Sequence, residues 1–72
     1  MTETFPALLV RLRSKSGLSL SAASRRLGLS KGHLWEMESG GTGNPTVATV
    51  KALSDVYKVS PATLLRAALK GK

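Results

Sequence analysis

Residues 19–39, SLSAASRRLGLSKGHLWEMES, hold two short helical patterns joined by a corner that admits few backbone paths. The first pattern runs from Leu20 to Leu27 behind Ser19, with Leu20, Ala23 and Leu27 on one face, and Gly28 ends it. Glycine suits such an exit because leaving a helix often needs a positive φ, which a Cβ penalises. Only Leu29 and Ser30 then precede the next pattern, so the spacing predicts a tight turn between two packed helices. Laid out at about 100° per residue, Lys31 to Ser39 puts Leu34 and Met37 on an inward arc flanked by His33 and Glu38. Lys31, Gly32, Trp35 and Glu36 fall on the opposite arc. One face is for the core and the other is free.

The flanking sequence supplies three more amphipathic segments. Phe5, Leu8, Leu9 and Leu12 lie at i, i+3, i+4 and i+7, with Thr4 as N-cap, Pro6 in the tolerant first turn and Gly17 as the stop. The segment SGGTGNP at residues 39–45 is a loop by its glycines and proline. Helix resumes at Thr46 with Val47, Val50, Leu53 and Tyr57 at helical spacing. A last helix starts behind Ser60, with Pro61 at its first position and Leu64, Leu65, Ala68 and Leu69 along it. The expectation is one all-α domain over residues 1–72, with helices at about 5–16, 20–27, 31–39, 46–58 and 61–69 and no strand alternation or internal repeat.

Charge narrows the partners. Eleven Lys and Arg against four Asp and Glu give +7 and a pI near 10.7, which calls for a polyanionic partner or an anionic surface. The absence of Cys excludes disulfides and thiolate metal sites, and a lone His makes no zinc site, so apolar packing must hold the fold and no cofactor is expected. No apolar run approaches the roughly 18 residues of a membrane span, and MTETFP lacks the basic and apolar regions of a signal peptide. A cytoplasmic protein with no membrane partner is expected. Hydrolytic or metal chemistry needs paired carboxylates, a nucleophile beside a positioned base, or clustered ligands, and this sequence offers none of them, so an enzyme is not expected.

In this order the pieces resemble the Cro/C1-type (XRE) family of helix-turn-helix repressors, from about Leu8 to Leu65. The matching landmarks are LRSKSGLS at the end of helix 1, RLGLSKGHL across the turn, MESG closing helix 3, then NPTVATVKAL and KVSPATLL. Gly17, Gly28, Glu38, Gly40, Pro45 and Ser60 stand in family positions. The resemblance implies a compact, five-helix, lambda-repressor-like DNA-binding domain. It also implies an ion pair between Arg13 and Glu38, joining helix 1 to the end of helix 3. Ser24 takes the place of the usual small Ala where helices 2 and 3 approach, and its hydroxyl can bond the carbonyl four residues earlier.

Three departures bear on DNA. Leu20 replaces the Gln that commonly opens helix 2, so that contact is expected to be absent. The loop after Gly40 is one residue longer than the common form and lacks its basic residue, leaving the amides of Gly41, Thr42 and Gly43 as phosphate donors. Lys58 stands where the family has Gly, at a conformational cost of up to about 1 kcal/mol if the position is left-handed.

The outward residues Lys31, Gly32, Trp35 and Glu36 are the candidates for base readout: Lys31 for guanine O6 or N7, Glu36 for cytosine N4, and Gly32 for close approach. Two readings of Trp35 stay open, packing on a sugar or thymine methyl or folding over the glycine-rich loop to shield the core. Arg13, Arg25, Arg26, Ser30 and His33 are candidate phosphate contacts, with partial burial the other reading for His33 and capping alone the other for Ser30. Lys51, Lys58, Arg66, Lys70 and Lys72 are spread along the last two helices and are expected to add steering.

The function expected is sequence-specific binding of a double-stranded DNA operator by a small transcriptional regulator, a phage or plasmid type of repressor resembling Cro, acting on the nucleoid of a bacterial or phage-infected cell. Self-association would be weak or DNA-induced and would use Val59, Leu65 or Leu69. The alternative is an antitoxin- or antirepressor-like modulator whose helix-turn-helix fold binds a repressor, toxin or polymerase subunit. A nonspecific nucleoid binder is a third reading, favoured by charge alone.

Overall fold

Each of the five helices starts on a hydroxyl. In the computed structural model, which describes residues 4–41 and 45–70, the helices are α1 (Phe5–Ser16), α2 (Leu20–Leu27), α3 (Lys31–Ser39), α4 (Val47–Tyr57) and α5 (Pro61–Lys70). Thr4, Ser19, Ser30 and Thr46 accept from the amides of Ala7, Ala22, His33 and Thr49 at 3.3, 3.1, 3.0 and 3.1 Å. Ser60 accepts from Ala62 N–H at 3.1 Å. Such caps satisfy amides that the helix itself leaves without partners. Thr46 therefore stands just outside α4 rather than within it, since its oxygen is needed as the cap, and α5 runs one residue further than the pattern suggested.

The first four helices end alike. Gly17, Gly28, Gly40 and Lys58 adopt left-handed backbone with φ of 70, 73, 82 and 55°. The amide of the following residue then reaches back to a carbonyl in the last turn: Leu18 to Arg13, Leu29 to Ser24, Gly41 to Glu36 and Val59 to Ser54, at 2.8 to 3.3 Å. Leu18, Leu29 and Val59 tuck their side chains against the core as they do so, the apolar contact that commonly accompanies this cap. Lys58 lies outside α4 for this reason.

At the centre, each helix contributes one residue with no exposed surface: Leu9, Ala23, Leu34, Leu53 and Leu64. Leucine fills the space in four helices; α2 supplies alanine, with buried Ser24 beside it. Small residues there let α2 lie close to α3 and α4, both of which it contacts. α1 touches α3, α4 and α5, so it is the post around which the corner and the C-terminal hairpin are arranged. Ser24 satisfies its hydroxyl by donating to the carbonyl of Ser21 at 2.9 Å, three residues back rather than four.

Lys58 is the one described non-glycine residue with positive φ, a conformation that disfavours a Cβ by roughly 1 kcal/mol or more. Lys58→Gly should stabilise the fold by about 1 kcal/mol and raise the melting temperature by about 4–8 °C. Thermal unfolding followed by circular dichroism checks it; an unchanged or lower melting temperature would show that the lysine gains a compensating contact.

Candidate nucleic-acid interface

The corner between α2 and α3 is closed by backbone hydrogen bonds of its own. Gly28 N–H donates to the Arg25 carbonyl at 3.3 Å and Leu29 N–H to that of Ser24 at 2.9 Å. Leu34 N–H then closes the first turn of α3 on the Ser30 carbonyl at 3.1 Å. Leu29 packs partly against the core, and Leu34 and Met37 are buried behind α3. The helix has no freedom to roll, because rolling would bring those apolar side chains into water.

A charged clamp holds its other end. Arg13 Nε donates to Glu38 Oε2 at 2.8 Å and Arg13 Nη2 to Glu38 Oε1 at 3.0 Å, the bidentate pairing that planar guanidinium favours. Arg13 Nη1 donates to the Leu18 carbonyl at 3.2 Å. One side chain thus joins the end of α1, the residue before α2's cap and the end of α3. The hydrogen bond to Glu38 holds the Arg13 pKa above its ordinary value, against some desolvation. Tyr57 of α4 lies near enough to sense both charges: burial pushes its hydroxyl up to about 12, the Glu38 carboxylate adds to that, and Arg13 opposes it. Its oxygen is buried without a hydrogen-bond partner among the described residues. Sequence reading placed Tyr57 only on a helix face; the one available signal was that an aromatic with a polar tip ended that face.

Outside this frame, Lys31, Gly32, Trp35 and Glu36 are all exposed on α3, and Arg25 and Arg26 are exposed on α2, where with Ala22 they border a shallow recess. Trp35 keeps 58% of its surface in contact with solvent. That exposure argues against its shielding the core. No described helix carries an acid in its first turn, and the caps of α2 and α3 are neutral hydroxyls. The positive ends of those two helix dipoles are therefore uncancelled. Among the described residues, no helix is long and apolar enough to cross a membrane.

Residues 5–68 match the family model described as a helix-turn-helix domain. The chain belongs to the helix-turn-helix domain family. Its structure is similar to that of SinR, described as the master regulator for biofilm formation, crystallised in complex with DNA. There the TM-score is 0.80 at 29% identity, over 86% of this chain and 98% of that one. The N-terminal DNA binding domain of SinR from Bacillus subtilis is similar at a TM-score of 0.78 and 30% identity, over 85% of this chain and 88% of that one. No match was found among curated protein sequences.

Within this helix-turn-helix frame, several sequence expectations change. Arg13 leaves the phosphate-binding set, because three of its nitrogens already donate inside the protein. Gly41 leaves it too: its amide is spent on the Glu36 carbonyl at 2.8 Å as part of the α3 cap. His33 is exposed rather than partly buried, since the inward arc narrows to Leu34 and Met37 with Glu38 at its edge. Thr42 and Gly43 lie outside the described residues.

Removing one member of the Arg13–Glu38 pair strands a charge whose partner carboxylate is only 7% exposed. Arg13→Met, which leaves that carboxylate without its partner, should cost about 3 kcal/mol, whereas Met at both positions recovers most of that loss. A double-mutant cycle in urea measures the difference, and additive losses would show that the pair is not coupled. The folded state also holds the Tyr57 proton more tightly than the unfolded chain does. That contribution to stability is present below pH 10 and is lost as pH rises from 10 towards about 12. Tyr57→Phe should flatten this part of the stability curve relative to the parent, while staying within about 1 kcal/mol of it at pH 7. Urea unfolding of both proteins across that range decides the matter, and parallel curves would refute it.

Proposed function

We propose that the chain is a sequence-specific double-stranded DNA-binding regulator of transcription, of the repressor or Cro-like kind, that lays α3 in the major groove. The observation that carries this reading is the exposed set Lys31, Gly32, Trp35 and Glu36 on a helix whose other side is locked to the core in a chain of +7 charge. Family membership and the likeness to a DNA-bound SinR structure support it. Lys31 pairs with guanine and Glu36 accepts from cytosine N4. Arg25, Arg26, Ser30 and His33 contact phosphates and set the register. Nothing in this role calls for catalysis or a cofactor. Such a regulator works in the cytoplasm, on the DNA of a bacterial or phage-infected cell.

Self-association falls to the α4–α5 face in this reading. Val47, Leu65 and Leu69 are 87, 50 and 81% exposed, and Val47, Val50, Pro61 and Leu65 line a groove of about 350 Å³ there. Val59 packs against the core, which leaves Leu65 and Leu69 of the three residues first considered. A two-fold pair formed on DNA would read half-sites one helical turn apart.

Retardation of a fragment from the neighbouring promoter, with competitor DNA present and salt varied, tests the reading. Specific retention that falls steeply with salt is expected. Arg25→Ala should weaken all sequences alike and lower the salt slope by about 1, whereas Lys31→Ala should relax preference at one base pair, a loss of about 1–3 kcal/mol there. No retention at any salt, with co-purification of a repressor, toxin or polymerase subunit, would replace this function with protein binding. Retention without a motif on selection from random duplexes would make it a nonspecific binder.

A further inference from the structure

Two residues on α3 are hard to explain by anything inside the protein. Gly32 sits in the helix with ordinary negative φ, since the positive-φ glycines are Gly17, Gly28 and Gly40. A Cβ added at Gly32 would meet nothing within 4 Å. Neither backbone conformation nor packing therefore requires glycine, although glycine is a poor helix former. Three residues on, and hence on the same face, Trp35 leaves 58% of its surface in water. It is the only tryptophan of the chain. The missing Cβ leaves bare backbone with open space above it, and the exposed indole stands one turn on along the same face, so that the two bound an open apolar notch. Exposed Lys31, four residues before Trp35, brings a cation to the edge of this notch.

Resting on the DNA-binding reading above, we propose that the notch between Gly32 and Trp35 receives the C5-methyl group of a pyrimidine in the major groove. Donors and acceptors dominate the base edges there, and the apolar feature among them is that methyl. An apolar notch on an otherwise polar reading face matches this group and no other part of a base edge. Glycine is what lets the helix come close enough to enclose it. Thymine and 5-methylcytosine present the same methyl, so the chemistry assigns the group and experiment assigns the base.

The test uses the full chain and duplexes that it enriches from a random pool. Each thymine is replaced in turn by deoxyuridine, and Trp35 emission is followed during titration. At one position in each half-site, loss of the methyl should weaken binding about fourfold, the equivalent of about 0.8 kcal/mol per buried methyl, and Trp35 emission should change on binding. Putting cytosine at that position and then methylating it at C5 should recover about the same factor. Enrichment from a second pool made with 5-methylcytosine separates the sources: thymine at the position identifies one, methylated cytosine the other.

Trp35→Ala should abolish the difference between thymine and uracil while the melting temperature holds, because the side chain is exposed. Gly32→Ala should raise the melting temperature yet weaken the thymine-containing duplex, a combination that a purely structural glycine would not give. If DNA is bound specifically but uracil is tolerated everywhere, or Trp35→Ala keeps the discrimination, the methyl-reading inference is overturned and the DNA-binding reading stands. If no duplex is retained at any salt, both fall together.

Discussion

The Arg13 guanidinium joins three pieces of chain that no single apolar contact joins. It grips both oxygens of Glu38 at the end of α3 and the carbonyl of Leu18, one residue before the cap of α2. Leucine and alanine packing sets how close the helices lie, but apolar burial is non-directional and tolerates sliding. A bidentate ion pair does not. Its geometry is satisfied at one rotation of α3, and that rotation presents Lys31, Gly32, Trp35 and Glu36 outward. The clamp also explains why the arginine does not serve as a phosphate ligand: a charge that holds the reading helix in place is unavailable to hold the DNA.

Around the clamp, the helix ends remove the remaining slack. Left-handed closure at Gly17, Gly28 and Gly40 turns the chain within one residue, and each following amide returns to the helix it has just left. Leu18 and Leu29 are drawn into the core by that same turn. The corner is consequently stiff without any long connection, and loop-ordering entropy is small where the reading helix is mounted.

Helix number, the N-caps of α1, α2, α3 and α5, the corner at Gly28 and the inward placement of Leu34 and Met37 were legible in the residue pattern, because periodicity and capping act within one turn; Thr46, read as part of its helix, proved to be the cap of α4. Contacts between distant segments were less so. The Arg13–Glu38 pair entered through family resemblance; no local pattern links residues 25 apart. That Gly41 had no amide to offer depended on how α3 ends, since the same amide serves either a phosphate or the cap. Helical angle alone set His33 at the margin of the buried arc, yet the neighbours that would have covered it lie elsewhere.

Acid placement constrains how the outward face can meet a polyanion. Of the acids within the described residues, Glu38 is consumed by the clamp and Asp55 lies on α4 beside the groove there. Glu36 alone stands on the reading face. Close to a phosphate it would be repelled, and no described helix offers a first-turn acid that would add to such repulsion. A carboxylate on this face is compatible with bound DNA only above a base-edge donor such as cytosine N4, away from either backbone. On the DNA-binding reading proposed above, that requirement would set the depth of α3 in the groove. On the proposed reading, holding Glu36 over the bases would carry in Gly32 and Trp35, one helical turn earlier and one residue earlier, so the apolar notch would meet base edges rather than sugar.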